Sequence, residues 1–210
     1  MTQIKRIPCG IVNCYLLSGD GGSVLVDACN PGMGETILSA IEGADVKLIL
    51  LTHGHSDHIG SAAYLREKLQ APIAMHAADV ELITNPGARQ LYGHTLLGRA
   101  LARASATTME NAGIPPFEPD VLLSDGDDLS RYGVRADMIA LPGHTAGSIG
   151  VLTEERDLIA GDAACHMLRP TVARIYEDRA AMEQSIAKMR QRGVQRLYVG
   201  HGSPFLLSAI

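Results

Sequence analysis

Four side chains of types that bind metal ions fall within six residues of this chain, in the segment THGHSDH. They are His53, His55, Asp57 and His58. Imidazole and carboxylate groups suit Zn²⁺ and also Fe and Mn. Crowding so many polar groups next to an apolar strand costs free energy unless something pairs with them. Whether the segment is an extended strand or a folded loop, this spacing can serve two adjacent metal ions.

Three further residues of ligand type follow apolar, strand-like runs. His144 follows such a run through Pro-Gly, and Asp162 and His201 each follow one directly after a glycine. Glycine permits a sharp turn and a close approach of the backbone. Four strand ends on one rim would point their side chains at one place. The seven residues together are enough ligands for two metal ions and a bridging water.

The elements that must position these residues can be read from the hydrophobic pattern. Strands are predicted at 3–7, 12–17, 23–27, 46–52, 72–75, 121–123, 134–141, 148–152, 157–160 and 196–199. Helices are predicted at 34–41, 59–69 and 176–192, with a helix-rich stretch over 77–113. Mixed strands and helices, with several short turns between strands, predict two packed sheets with helices outside.

Composition limits the classes of function. The chain has 210 residues, 46% of them hydrophobic, and a formal net charge of −5. One domain spanning residues 1–210 is expected, and the acidic balance argues against nucleic-acid binding. The four cysteines form no C-x-x-C pair, and neither a signal peptide nor a membrane span is recognisable. These features predict a cytoplasmic protein that acts on a small molecule, with no membrane partner.

The sequence resembles the metallo-β-lactamase fold superfamily over nearly its whole length. The shared marks are Asp27 after the third strand, His53-x-His55-x-Asp57-His58, Pro142-Gly143-His144-Thr145, Gly161-Asp162 and Gly200-His201. The resemblance implies an α/β fold, an αββα four-layer sandwich of two mixed sheets flanked by helices. It also marks 85–117 as a helical insertion on the rim that sets substrate choice.

The resemblance further implies two divalent metal ions, expected to be Zn²⁺, with Fe or Mn as alternatives. The implied ligand sets are His53, His55 and His144 for one ion, and Asp57, His58 and His201 for the other, with Asp162 bridging. Asp27 would hydrogen-bond near the ligand loop and fix it. The ions would lower the pKa of bound water toward roughly 7 and supply a bridging hydroxide for attack on a carbonyl carbon. Asp57 would be the catalytic residue that orients the hydroxide and carries its proton.

Several reactions fit this pattern. The metal site resembles that of glyoxalase II, and this resemblance favours hydrolysis of an ester, thioester or lactone. The C-terminal helical region that is usual in glyoxalase II is not expected here. Persulfide dioxygenases, which use one iron held here by His53, His144 and Asp162, are the first alternative. β-Lactam hydrolysis is the second alternative, as a promiscuous activity only. The commonest β-lactamases of this fold carry Cys where this chain has Asp162, which argues against β-lactam hydrolysis as the native role. The insertion could be a substrate lid or ordinary helix packing, and Cys165 is expected to be a buried thiol.

Overall fold

A computed structural model describes residues 2–93 and 95–210 of the chain, so His94 in the predicted insertion lies outside the described residues. The first sheet has six strands in the order β1-β2-β3-β4-β5-β6. They are β1 (Gln3–Cys9), β2 (Val12–Gly19), β3 (Gly22–Val26), β4 (Val46–Leu50), β5 (Ile73–Met75) and β6 (Val121–Leu122). The first three pair antiparallel, whereas β3 to β6 pair in parallel.

The second sheet has five strands in the order β13-β12-β9-β8-β7. They are β7 (Ala136–Ala140), β8 (Ile149–Thr153), β9 (Asp157–Gly161), β12 (Arg196–Val199) and β13 (Phe205–Leu206). Only β12 and β9 are parallel, so this sheet is mixed as well. A separate pair joins β10 (Ala164–Cys165) to β11 (Thr171–Val172).

Six α-helices accompany the sheets in the described part of the chain. They are α1 (Gly34–Ala40), α2 (Ser56–Ile59), α3 (Ala62–Leu69), α4 (Glu81–Thr84), α5 (Leu96–Glu110) and α6 (Arg179–Gln191). Short 3₁₀ turns cover Ala77–Asp79, Ser130–Tyr132 and Leu207–Ala209. No helix in the described residues has the length and apolar character needed to cross a bilayer.

Three apolar layers show how these elements stack. Between the sheets, Leu17 of β2 belongs to the same buried cluster as Val151 of β8. On the outer face of the first sheet, Ile37 of α1 and other helical residues join the buried side of β4. On the outer face of the second sheet, Met189 of α6 packs with Leu197 of β12. The order is therefore helix, sheet, sheet, helix, and the predicted αββα sandwich of two mixed sheets is confirmed.

The helix predicted over 59–69 is wrong in its start, because α2 already ends at Ile59 and a separate helix, α3, begins at Ala62. At the break, a Cβ on Gly60 would lie 2.3 Å from the backbone nitrogen of Pro31. Ser61 donates a hydrogen bond to the carbonyl of Asn30 (2.7 Å). The chain is thus pinned at this break to the loop after β3, and α2 becomes a separate turn that carries Asp57 and His58.

Other predicted boundaries shift for local reasons. The helix expected over 176–192 begins at Arg179, because the Asp178 side chain accepts a hydrogen bond from the Ala181 N–H (3.1 Å) and caps it. Tyr176 instead forms an isolated antiparallel bridge with Tyr92. The strands β10, β11 and β13 were not predicted, since two residues are too few to show a period. The helix-rich stretch over 77–113 contains a 3₁₀ turn, α4 and α5, and residues 85–93 after α4 form no helix or strand apart from the bridge at Tyr92.

Asp79, in the turn after β5, is fully buried and ties together two loops at the rim of the sandwich. Its carboxylate accepts hydrogen bonds from four groups: Gly54 N (3.0 Å), Thr145 Oγ1 (2.6 Å), Gly147 N (2.8 Å) and the Arg89 guanidinium (2.7 Å). A Cβ on Gly147 would lie 2.6 Å from the Asp79 carboxylate, so only glycine allows this approach. The loops containing His55 and His144 are therefore held at a fixed separation by one buried charge.

This anchoring predicts the effect of Asp79→Asn on stability. The amide keeps the shape but removes the charge and turns one acceptor into a donor that faces other donors. Breaking a buried charged network in this way should lower the free energy of unfolding by roughly 2–4 kcal/mol. Denaturant unfolding measures this value. Asp20→Asn, at an exposed position, is the matched control and should stay within about 0.5 kcal/mol of the parent. A loss equal to that of the control would contradict the anchoring role.

Candidate metal site

The seven residues predicted as metal ligands lie together at one rim of the sandwich. His53, His55, Asp57 and His58 occupy the loop and short helix after β4. The remaining three residues follow strands of the second sheet: His144 after β7, Asp162 after β9 and His201 after β12. Both sheets thus contribute strand ends to one cluster, as the spacing of glycine and ligand residues predicted.

Three imidazoles form the first group of this cluster. His55 Nδ1 lies 3.1 Å from His53 Nε2 and 3.0 Å from His144 Nε2. The three side chains are nearly inaccessible, with exposed fractions of 1–5%. One nitrogen from each ring therefore faces a common centre, and little of the three side chains is exposed to solvent.

The second group comprises Asp57, His58 and His201, whose ligand atoms lie within 4.8 Å of one another. His201 Nε2 is 3.2 Å from Asp57 Oδ2. The Asp57 side chain is 27% exposed, whereas that of His58 is fully buried. This group therefore opens to solvent on its Asp57 side.

Asp162 lies between the two groups. Its Oδ2 atom is 3.6 Å from His144 Nε2 in the first group and 3.3 Å from His201 Nε2 in the second. Its Oδ1 atom is 3.5 Å from His58 Nε2. One carboxylate thus reaches both ligand groups, which is the position that the resemblance implied for it.

The outward nitrogens of the histidines are fixed by hydrogen-bond acceptors. His144 Nδ1 donates to the carbonyl of Ile175, and His201 Nδ1 donates to that of Ile11, both at 2.9 Å. His58 Nδ1 donates to Asp27 Oδ2 (2.8 Å). When such a ring is neutral, as a metal ligand must be, the outer nitrogen carries the proton and the inner Nε2 atom presents a lone pair to the centre.

Asp27 adopts a left-handed backbone conformation (φ 65°), which is uncommon outside glycine. Its carboxylate accepts hydrogen bonds from Thr52 N (2.7 Å) and Thr52 Oγ1 (2.9 Å) in addition to the one from His58. The side chain is 1% exposed. Asp27 therefore connects the end of β3 to both ends of the ligand loop, which is the contact that the family resemblance implied.

The two groups differ in their affinity for protons. Burial, together with the neighbouring histidines, lowers the pKa of His53 well below its usual value and that of His55 to about 3. Burial also lowers the pKa of His58, but Asp27, Asp162 and Asp57 outweigh it and raise this pKa to about 9.

The second group favours positive charge. Asp162 raises the pKa of His201 to about 12, against the effect of burial. Burial raises the pKa values of Asp57 and Asp162, yet the nearby histidines outweigh it and hold both below the usual range. The carboxylates therefore stay ionised beside imidazoles, and the centre attracts cations.

The donor set fits a bound metal ion. His58 Nε2 and Asp162 Oδ1 are buried, have no hydrogen-bond partner among the described residues, and face each other at 3.5 Å. This separation is too long for a good hydrogen bond. Two atoms that each lie about 2.0–2.2 Å from one tetrahedral ion are roughly 3.3–3.5 Å apart. A divalent cation between them would satisfy both.

A cleft of about 360 Å³ opens onto this centre. Asp57, Asp162 and His201 lie on one side of it, and Leu101 and Met109 of α5 lie on another. The predicted insertion therefore borders the cleft through α5. Cys165 lines the cleft but is buried, and burial raises the pKa of its thiol.

Sequence reasoning missed two residues of this region. Asp79 anchors the ligand loops, and Arg174 lines the cleft. The role of Asp79 could have been predicted from its position, because it is a carboxylate shortly after β5 and so lies on the same rim as the ligand loop after β4. For Arg174 no signal exists in the sequence, since it follows a two-residue strand with no pattern of its own.

Comparison with known proteins agrees with this geometry. A protein of Aquifex aeolicus (strain VF5) is 33% identical over 165 residues, which cover 76% of this chain and 69% of that protein. YflN of Bacillus subtilis (strain 168), a probable metallo-hydrolase, is 27% identical over 92% of this chain and 81% of its own length. The chain spans less than two thirds of some relatives, for example 61% of YobT from Bacillus subtilis.

Among solved structures, the di-iron-bound form of TTHA1623 has a TM-score of 0.73 and 27% identity, covering 98% of this chain and 96% of that one. The sequence profile of the metallo-beta-lactamase superfamily matches residues 7–201, from β1 to the last predicted ligand. The chain therefore belongs to the metallo-beta-lactamase superfamily.

Proposed function

We propose that this protein is a hydrolase that uses two divalent metal ions, expected to be zinc, to cleave an ester, thioester or lactone bond. The observation that carries the proposal is the pair of facing, unpartnered atoms, His58 Nε2 and Asp162 Oδ1, between two groups of ligand-type side chains. A structural zinc site is closed by four ligands, whereas this centre borders an open cleft. An open centre of this kind favours catalysis.

The ligand assignment follows the two groups. His53, His55 and His144 would hold one ion and Asp57, His58 and His201 the other, with Asp162 shared. When bound, the ions would lower the pKa of water and polarise the substrate carbonyl. This is a glyoxalase II-like arrangement.

Asp57 is the residue best placed to move a proton. Its Oδ2 atom contacts His201, and its side chain is the most exposed of the two carboxylates in the cluster, at 27% against 13% for Asp162. The nearby histidines keep Asp57 ionised at neutral pH, so its carboxylate would orient the attacking water by accepting a hydrogen bond from it and would take up its proton as the new bond forms. The same carboxylate, at the mouth of the cleft, would pass that proton to the leaving group.

A persulfide dioxygenase that uses one iron is the second candidate. TTHA1623, to which this chain is similar, has a di-iron-bound form, and this supports iron as an alternative to zinc at the proposed site. That chemistry would use His53, His144 and Asp162. β-Lactam cleavage would be a side activity of the same centre, since Asp162 stands at the position where the commonest β-lactamases of the fold carry cysteine.

Metal content decides between these candidates. Elemental mass spectrometry of protein purified without chelators or a His tag should find about two zinc or mixed divalent ions per chain. Hydrolysis of a panel of thioesters and lactones should then depend on the metal. One iron per chain, together with oxygen consumption on a persulfide, would instead establish the dioxygenase.

Substitution of Asp162 should remove metal and activity together. Asp162→Ala deletes the carboxylate of the cluster that lies beside histidines of both groups, so we expect at least one ion per chain to be lost. Cys165→Ala, three residues away, is the matched control and should retain the metal content of the parent. Full activity in Asp162→Ala would show that the shared position is wrongly assigned.

Asp27→Asn should weaken metal binding without removing a ligand. The amide cannot accept from both His58 Nδ1 and Thr52, so the ring of His58 loses its fixed orientation. Loss of such outer partners typically costs 10–100-fold in metal affinity. Competition with a chromophoric chelator measures this affinity. An affinity unchanged from the parent would mean that Asp27 serves only the turn after β3.

A further inference from the structure

The cleft beside the proposed metal centre has exposed apolar walls. Three of the large hydrophobic side chains that remain exposed line it: Ile11 (69%), Leu101 (42%) and Met167 (52%). They come from the β1–β2 turn, α5 and the chain after β10, so separate parts of the fold converge on one apolar surface. Contiguous exposed apolar surface around a cleft is typical of a ligand-binding site. The ligand therefore has an apolar part.

A positively charged side chain, that of Arg174, lies beside these apolar residues. Arg174 lines the cleft and is half-buried. The next residue, Ile175, accepts the hydrogen bond from His144 Nδ1, so the backbone beside Arg174 is fixed to the ligand cluster. Ala173 on its other side is buried. Arg174 is thus held at a defined place near the centre.

The charge of Arg174 is not opposed by a protein carboxylate. Within residues 2–93 and 95–210, no Asp or Glu side chain forms an ion pair with it, whereas Arg89, also half-buried, is paired with both Asp79 and Glu177. The carboxylates that line the same cleft, Asp57 and Asp162, are both within 3.3 Å of His201. Arg174 is therefore free to pair with an anion that enters the cleft.

The neighbouring thiol of Cys165 does not neutralise Arg174. The Cys165 thiol is near enough for the guanidinium to lower its pKa, but burial outweighs this and raises the thiol pKa above its usual value. The thiol is therefore uncharged at neutral pH. A guanidinium with planar, forked N–H donors is suited to bind a carboxylate through two parallel hydrogen bonds.

We propose that Arg174 binds a carboxylate of the substrate, so the cleft takes an ester, thioester or lactone that has both an apolar acyl part and a negative charge. The reaction in this statement rests on the proposed function, but binding at Arg174 can be tested without turnover. The apolar part would lie against Leu101 and Met167, and the carboxylate would lie at Arg174.

The first test measures binding of octanoate and of the neutral, equally long octanamide by titration calorimetry. Arg174→Gln should weaken octanoate binding ~10–100-fold, the range expected for losing one partner of a partly buried charge pair. The loss for octanamide should be at least tenfold smaller. Arg174→Lys, which retains the charge, should recover part of the octanoate affinity, and Arg169→Gln at a neighbouring exposed position is the matched control.

Equal octanoate affinity in the parent and in folded Arg174→Gln would overturn the proposal, because the carboxylate would then bind elsewhere, for example at the metal ions. Circular dichroism of each variant establishes that it is folded. If Arg174→Gln does not fold, the comparison of Arg174→Lys with Arg169→Gln decides, since a lysine places the charge differently and should weaken octanoate more than octanamide.

The second test separates this proposal from the proposed reaction. It compares kcat/KM for two thioesters of one thiol, octanoyl and 7-carboxyheptanoyl. The parent should prefer the carboxylate substrate, and Arg174→Gln should reduce kcat/KM for it at least tenfold more than for the neutral one. Octanoate binding that depends on Arg174 without any thioester cleavage would support the anion subsite and reject the hydrolase. Cleavage of both thioesters with an unchanged preference would reject the subsite.

Discussion

Electron-pair donors that face one another in a buried place are the constraint on which the rest of this structure depends. In the described part of the chain, His58 Nε2 and Asp162 Oδ1 have no hydrogen-bond partner, and the inner nitrogen of His55 lies about 3 Å from those of His53 and His144. Without protons or metal ions to supply positive charge between them, such groups lose their solvation and gain little in return. The fold holds them in place regardless, which is what a preorganised metal site requires.

Two buried carboxylates outside the proposed ligand set hold the ligand loops in that arrangement. Asp27 joins β3 to the ligand loop and orients His58, whereas Asp79 joins the same loop to the one carrying His144. Asp27 follows β3 and Asp79 lies shortly after β5. Because β3, β4 and β5 are parallel neighbours, both carboxylates lie next to the ligand loop that follows β4. Packing between the sheets then brings the strand ends of the second sheet to the same rim.

Sequence alone was sufficient for what depends on local spacing, and insufficient for what depends on distant partners. The THGHSDH segment and the glycines before Asp162 and His201 predicted a cluster that the structure indeed brings together. The break at Gly60 could not be predicted, because it arises from contact with Pro31 rather than from helix propensity. The roles of Asp79 and Arg174 could not be predicted for the same reason. Asp79 matters because it joins two loops, and Arg174 matters because no carboxylate in the described residues pairs with it.

Anomalous diffraction from crystals of the metal-loaded protein tests the central claim most directly. The arrangement predicts two peaks, about 3.5–4 Å apart as in other two-metal sites, on either side of the Asp162 carboxylate. One peak would lie among His53, His55 and His144, and the other among Asp57, His58 and His201. A single peak, or metal bound away from Asp162, would contradict the account of a shared two-metal centre.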